Sequence, residues 1–383
     1  MAGWKEFLLG DVVNLKRGYD LPHSVRSPGS FPVVSSAGIT DHHSEAKVKG
    51  PGVVTGRYGT LGQVFFVESD YWPLNTSLYV QDFKGNDPRF ISYFLGTLNF
   101  GSQNAAGAVP GVNRNHLHAI EVRVPPLPVQ QRIAGILSAY DELIENSQRR
   151  IKILETMARA LYREWFVHFR FPGHENHPRV ASPLGEIPQG WEAIAFTEIA
   201  DVLSGGTPKT STPEYWDGEI PFFTPRDAPD CFYVEDADKH VTELGLSKCA
   251  SQLYPPDTVF ITARGTVGKV ALPSVPMAMN QSCYALRGKL GISQRFLFLI
   301  TLQQVEYLKT NTGGATFDTI VVDTFRRMQV AKPPHDLIAA FTHRVDAVFD
   351  QVNTLQRQIQ NLRRTRDLLL PRLLSGQIEV ETA

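Results

Sequence analysis

The stretch Pro128–His168, PVQQRIAGILSAYDELIENSQRRIKILETMARALYREWFVH, decides how the rest of the chain is read. Ile133, Tyr140, Ser147, Leu154 and Leu161 form one row, and Leu137, Ile144, Ile151, Ala158 and Trp165 the other. Apolar positions that alternate three and four apart over successive heptads predict a long helix with a helical partner along its seam. Near the C-terminus, Phe341, Val348, Leu355, Leu362 and Leu369 alternate with Val345, Val352, Ile359, Arg366 and Leu373. The second seam repeats the first at a constant offset, so Phe341 answers Ile133 and Leu369 answers Leu161. A proline pair precedes each helix, Pro125-Pro126 and Pro333-Pro334. The pattern predicts two matched helices, packed antiparallel, each following a globular unit.

The segments before the helices superpose as copies. Gly3-Trp4 matches Gly190-Trp191, Asp11-Val12 matches Glu198-Ile199, and Gly18 matches Gly205. Gly59-Thr60-Leu61-Gly62-Gln63-Val64 lies over Gly265-Thr266-Val267-Gly268-Lys269-Val270, and Asn75-Thr76-Ser77-Leu78-Tyr79 over Asn280-Gln281-Ser282-Cys283-Tyr284. Arg89-Phe90 matches Arg295-Phe296, and Gly107-Ala108 matches Gly314-Ala315. Matches kept in one order define an internal repeat. Gly52–Val67 and Asp257–Leu272 read as hairpins punctuated by glycine. Arg89–Leu98 and Arg295–Val305 read as short amphipathic helices, and Val122-Arg123-Val124 and Gln329-Val330-Ala331 as strands that prolines end. Phe171–Gln189 is rich in Pro, Gly and His without apolar period, which predicts a linker or extended arm.

The expected fold class is therefore α+β, two globular domains of mixed strands and short helices joined by an antiparallel coiled coil, with a pseudo-two-fold internal repeat. The divisions run 1–125, a helix over 126–170, a linker over 171–190, a second globular domain over 191–333 and a last helix over 334–383. A hydrophobic content of 42% and a charged content of 20% are those of a folded chain, and 383 residues suit more than one core. No apolar run reaches membrane-span length, and the first residues lack a signal peptide's basic head and apolar block. Cys231, Cys249 and Cys283 have no CxxC spacing, which suits a reducing cytoplasm and argues against zinc. The net charge of −1 gives no global sign of nucleic-acid binding, so any positive face is local.

Enzyme motifs are not found. Gly265–Val270 lacks the glycine spacing of a phosphate-binding loop, and Val270 stands where Ser or Thr would hold the metal. There is no Asn-Pro-Pro-aromatic tetrapeptide of the amino-methyltransferase kind. His42-His43 and His116 with His118 have no Cys, Asp or Glu at ligand spacing and read as surface or turn residues. Nucleic-acid chemistry has more support. Arg17 and Tyr19 flank Gly18, Arg57-Tyr58 lies between glycines, and Asn113-Arg114 follows a glycine-rich run. Lys209, Thr224 with Arg226, Arg264 and Lys269 continue the pattern in the second half. Arginine forks read guanine edges, Asn and Gln read adenine, and glycine lets backbone approach phosphate. Any one of these residues can equally be a solvated turn residue. The collective reading rests on Arg57-Tyr58 and Arg264 falling on the same hairpin of both repeats.

Ser204-Gly205-Gly206-Thr207-Pro208, Tyr215-Trp216, Ile220-Pro221-Phe222 and Thr224-Pro225-Arg226-Asp227 resemble a target-recognition domain of type I restriction–modification specificity subunits. Tyr19–Pro22, Pro32–Ser36 and Gly38-Ile39-Thr40 resemble a second such domain of another sequence class. Pro125–Ile133 resembles the start of that family's central spacer helix, and Leu370–Gly376 the end of its last one. The resemblance spans the chain. It implies a non-catalytic subunit reading a bipartite asymmetric site in double-stranded DNA, with two methyltransferase subunits and restriction subunits as partners. S-adenosylmethionine, ATP and magnesium would then sit on those partners, with no cofactor on this chain. The halves differ inside the recognition domains, so the two half-sites should differ. A coil of ~33 residues spans roughly 50 Å, enough to hold half-sites about a duplex turn apart. Ile136, Leu143, Met157 and Phe166 are expected as an exposed apolar flank that the methyltransferase subunits cover. The rival readings are a fused methyltransferase or nuclease, and a coiled-coil scaffold whose globular units bind proteins.

Overall fold

The computed structural model describes residues 3–58, 62–98, 111–311 and 319–381. Gly59-Thr60-Leu61, Gly107-Ala108 and Gly314-Ala315 of the repeat lie outside the described residues. Contacts divide the chain into two compact units, Met1–Ile144 with Asn361–Ala383, and Glu145–Gln360. No described helix is long and apolar enough to cross a membrane.

The first unit runs β1 (Lys5–Leu8), α1 (Leu9–Val12), β2 (Asn14–Arg17), β3 (Phe31–Ser35), β4 (Gly38–His43), β5 (Gly52–Gly56) and β6 (Val64–Val67). It continues through β7 (Trp72–Pro73), β8 (Ser77–Asp82), α2 (Pro88–Thr97), α3 (Arg114–His118), β9 (Glu121–Val124) and the start of α4 (Leu127–Tyr162). One sheet has the order β2-β8-β5-β6, a second β4-β3-β7, and β1 pairs with β9. Gly-Val-Val-Thr-Gly of β5 is buried throughout because β6 and β8 flank it in the sheet. Phe90, Ile91, Phe94 and Leu95 of α2 meet Leu9, Val12, Leu15 and Leu78 in the core.

Beyond α4 come β10 (Arg179–Ser182) and β11 (Gly185–Pro188), which pair antiparallel. A hairpin thus stands where the sequence predicts a linker or extended arm. Phe171 and Ile187 are buried in it, and Phe171 stacks on Trp191 at 5.7 Å. Isolated aromatic anchors, which have no period to detect, hold this segment in place.

The second unit repeats the first. It comprises β12 (Glu192–Ala195), α5 (Phe196–Ile199), β13 (Ala200–Ser204), β14 (Trp216–Phe223), β15 (Tyr233–Val234), β16 (His240–Val241) and α6 (Glu243–Ser247). Then follow β17 (Val259–Thr262), β18 (Val270–Pro273), β19 (Ala278–Met279), β20 (Cys283–Gly288), α7 (Gln294–Asn311), α8 (Val322–Arg327), β21 (Gln329–Lys332) and α9 (His335–Leu374). Its sheets are β13-β20-β17-β18-β15 and β16-β14-β19, with β12 on β21. Each strand order reproduces the first unit's, apart from the added edge strand β15.

The long helices begin where proline blocks upstream propagation. Buried Gln130 fixes the start of α4, donating to Asn86 at 2.7 Å and to the Pro125 carbonyl at 2.9 Å and accepting from the Asp87 amide at 2.9 Å. Within the first unit, Ile133 and Leu137 of α4 share a core with Leu373 and Leu374 of α9, and Arg366 pairs with Asp141 at 2.5 Å. Within the second, Trp165 at the far end of that helical run meets Phe341 near the start of α9, ring centroids 5.6 Å apart. Early residues of one helix meet late residues of the other, the antiparallel pairing that the seam predicts.

Two details differ from the strict heptad. Glu155, Tyr162 and Phe349 are buried, whereas Leu154, Leu161 and Val348 are half-buried. A helix with 3.6 residues per turn drifts from a 3.5-residue seam, so the next position takes the inside place, filled by a large aromatic at Tyr162 and Phe349 and by a hydrogen-bonded carboxyl at Glu155. Phe166, expected as an exposed flank, is also buried. Arg163–Val167 form a π turn, whose extra residue per turn swings Trp165 and Phe166 inward together. Phe166 then lies 4.8 Å from Phe341 and 5.0 Å from Phe296.

Glu155 has a consequence for stability. It accepts the Phe232 amide at 2.6 Å, and burial pushes its carboxyl up to about 7, against the lowering effect of that hydrogen bond and of Arg159. The folded-state value exceeds the unfolded one, so the contribution is fully present below pH 4.5 and is lost as pH rises through 7. The second unit is expected to be up to ~3 kcal/mol less stable at pH 8 than at pH 5 from this group. Glu155→Gln, which keeps the acceptor, should flatten the melting temperature across that range; an unchanged slope would place the carboxylate in contact with water.

Candidate nucleic-acid interface

In the first unit the predicted residues surround the short connection between β7 and β8. Gly18 ends β2, and a Cβ there would lie 2.2 Å from the Leu74 carbonyl oxygen, so only glycine lets the strands approach this closely. The Gly18 amide donates to the Ser77 carbonyl at 3.1 Å and the Tyr19 amide to that of Pro73 at 2.8 Å. From the opposite side the Arg57 amide donates to the Thr76 carbonyl at 3.0 Å, and the Val112 amide to that of Arg57 at 3.0 Å. Arg17, Arg57-Tyr58 and Asn113-Arg114, far apart in sequence, thus border one loop.

The side chains divide by what already engages them. Arg17 is exposed and 3.6 Å from Asp20, a weak surface pair. The Arg57 guanidinium lies 4.7 Å from the centre of the exposed Tyr58 ring, a planar cation stacked on an aromatic face. Arg114 is exposed at the first position of α3. The Asn113 side-chain oxygen accepts the Asn115 amide at 3.0 Å, so that oxygen caps α3. Tyr19 is half-buried and its hydroxyl shares a 2.9 Å hydrogen bond with that of Tyr79. Burial and that partner hold Tyr79 neutral well above the ordinary phenol range.

The second unit builds the same hub around Asn280–Ser282. A Cβ on Gly205 would lie 2.0 Å from the Asn280 carbonyl oxygen. The Gly206 amide donates to the Met279 carbonyl at 3.2 Å, that of Arg264 to Ser282 at 3.3 Å, and that of Asn280 to Phe223 at 2.9 Å. A Cβ on Gly265 would reach Pro225 at 3.8 Å, which sets the Thr224–Asp227 turn beside the Arg264 hairpin. Thr224 donates its amide and its hydroxyl to Asp227, each at 2.7 Å, which rigidifies the turn and leaves Arg226 exposed. Arg264 is exposed with no carboxylate in pairing range among the described residues, and Lys209 is exposed beside Trp216. Lys269 stands apart from this group, with its ammonium on Asp230.

Sequence reasoning passed over the hub itself. Asn75-Thr76 and Asn280-Gln281 were legible as a repeat match, yet nothing local marks them as the loop the cations gather around. The Asn75 amide donates to Asp20 and the Thr207 hydroxyl to Gln281. It also passed over Lys47, whose ammonium sits 5.8 Å from the Tyr19 ring and 5.4 Å from Trp72. His43 and His118 are structural: His43 is buried against Trp72 and accepts the Ser27 amide at 3.0 Å, while His118 accepts that of Leu15 at 2.9 Å.

The family model for the type I restriction modification DNA specificity domain matches residues 1–156 and again 188–361. The chain belongs to this family. Each match falls on one copy of the repeat and its hub. The chain is similar to the type I restriction enzyme HindI specificity subunit of Haemophilus influenzae, 23% identical over 99% of this chain and 100% of that one. It is 30% identical to the MjaIX specificity subunit of Methanocaldococcus jannaschii over 39% of this chain and 36% of that one. A solved type I restriction–modification S subunit from M. genitalium shares the fold, with a TM-score of 0.64 at 15% identity over 97% of this chain and 96% of that one.

Proposed function

We propose that this chain is the non-catalytic specificity subunit that reads a bipartite, asymmetric target in double-stranded DNA, one half-site per unit. The observation that carries the reading is the recurrence of one hub in both units. In each, glycine-enabled close backbone packing holds a short Asn-bearing loop, and exposed guanidinium groups ring it. Arginine forks and amide side chains are the groups that discriminate base edges, and a rigid hub limits the entropy lost in placing them. Different side chains around a shared frame predict two different half-sites. Arg17, Arg57 with Tyr58, Arg114, Lys209, Arg226 and Arg264 are the residues proposed to meet DNA; Tyr19, the Asn113 side-chain oxygen, the Thr224 hydroxyl and Lys269 are held in contacts of the fold.

Docking of two methyltransferase subunits, and through them of restriction subunits, is part of the same proposal. Leu143 and Met157 are exposed on α4, 55% and 54%, and Ile136 is half-buried, so these remain the proposed covered residues while Phe166 is withdrawn. Those partners would hold S-adenosylmethionine, ATP and magnesium.

The test is Arg264→Ala in the assembled methyltransferase complex. Specific binding is expected to weaken by ~1–3 kcal/mol, with relaxed discrimination confined to one half-site. A uniform loss across sequences with a shallower salt dependence would mark a phosphate contact instead. If the intact complex shows no salt-dependent affinity for duplex DNA, the DNA-reading proposal fails.

A further inference from the structure

A cleft of about 460 Å³ opens in the second unit, lined by the end of α4, the β17–β18 hairpin and α7. Arg159, Arg163, Lys269 and Lys309 line it, against Asp230 and Glu306. The lining carries more cations than carboxylates, and the buried Glu155 carboxyl lies near enough to Arg159 to act on it. Asp230 is already taken by Lys269.

The geometry is organised around two guanidinium groups. Arg159 and Arg163 stand one helical turn apart, a spacing that puts their side chains on one face. The Arg159 guanidinium lies 5.1 Å over the ring of Phe232. Both residues are exposed, and neither has a carboxylate within ion-pairing distance among the described residues. On the opposite wall the Lys309 ammonium donates to the Gly268 carbonyl at 3.4 Å. Gly268 has φ +76°, and a Cβ there would come within 2.9 Å of Val305 and 3.1 Å of Lys309. Glycine at that point is what lets the hairpin close down on α7 and bring Lys269 and Lys309 to one cleft.

We infer that this cleft is a phosphate-binding site, with Arg159 and Arg163 as the fork and Lys309 as the opposing charge. Planar guanidinium pairs match the oxygens of a tetrahedral anion, and a lysine ammonium adds a point charge from the other side. The phosphate comes either from the duplex backbone, which rests on the DNA-reading proposal, or from a soluble phosphorylated molecule, which does not.

The experiment compares wild type with Arg159→Gln/Arg163→Gln and with Arg163→Gln alone, which spares the stack on Phe232. Sodium pyrophosphate is titrated by calorimetry, and duplex binding is measured against salt in the assembled complex. A pyrophosphate affinity that falls ~10-fold or more in both variants supports the site. With an unchanged salt slope for DNA, it assigns a soluble ligand. A slope reduced by about 1–2 in the variants supports the site with the duplex as its source. Equal pyrophosphate binding by all three proteins with equal slopes overturns the inference. So does loss of methyltransferase-subunit binding with neither effect, which gives the cleft to a partner's carboxylates. If wild type binds no duplex, the DNA-reading proposal falls, and the pyrophosphate arm alone decides the cleft.

Discussion

Exchanging residues 1–124 for the corresponding segment of a related chain is expected to change one half of the methylated sequence completely and leave the other half as it was. The expectation follows from the cores. Leu9, Val12, Phe90 and Phe94 pack with Ile133, Leu137 and Leu373, all inside the first unit, while Phe223, Phe260, Met277 and Met279 make a separate core in the second. The junction sets a condition on the donor. Buried Gln130 binds Asn86 and the Asp87 amide, and the Asp87 side chain caps α2 through the Phe90 amide at 2.8 Å. A donor lacking that Asn and Asp takes the Asn86 acceptor from Gln130, which keeps its bond to the Pro125 carbonyl, and removes the side-chain cap of α2, at a cost of about 1–3 kcal/mol. With them retained, methylome sequencing of cells carrying the complete system reads the result. A change in both halves would mean that the units do not read independently.

Phe166→Ala is expected to destabilise the second unit by ~3–5 kcal/mol, the range for emptying a buried aromatic site. Its ring touches Tyr162, Trp165, Trp191, Phe296 and Phe341, residues drawn from the helical run, the start of the repeat, α7 and α9. No single neighbour can collapse into the space without leaving another. Urea denaturation measures the loss. Met157→Ala is the control: its side chain is 54% exposed, so stability should change by no more than about 0.5 kcal/mol while affinity for a methyltransferase subunit falls. If Phe166→Ala leaves stability intact and only weakens subunit binding, the aromatic cluster is not the core of this region.

The residues of the candidate interface were partly legible. Arg57, Arg226 and Arg264 stood out because each is a cation beside glycine or proline in a turn, and turns expose their side chains. Tyr19 and Lys269 also follow a glycine, yet tertiary partners claim them: Tyr79 bonds the phenol and Asp230 pairs with the ammonium. Asn75 and Asn280 carry no local mark, because a hub is defined by the segments that converge on it.

The sequence by itself determined the repeat, the antiparallel helices and most element types, the β10–β11 hairpin apart. Apolar period and proline stops are local properties, and copying them twice in one order leaves little choice of architecture. Tertiary structure alone decided which residue of a seam faces inward. The heptad puts Leu161 on the seam and Phe166 on the exposed flank. Yet the π turn at Arg163–Val167 buries Phe166, and Tyr162 takes the inside place over Leu161. The choice turns on the volume left between α7 and α9, where Phe296 and Phe341 wait for a ring. Close packing is a property of the assembled neighbours, and no single segment encodes it.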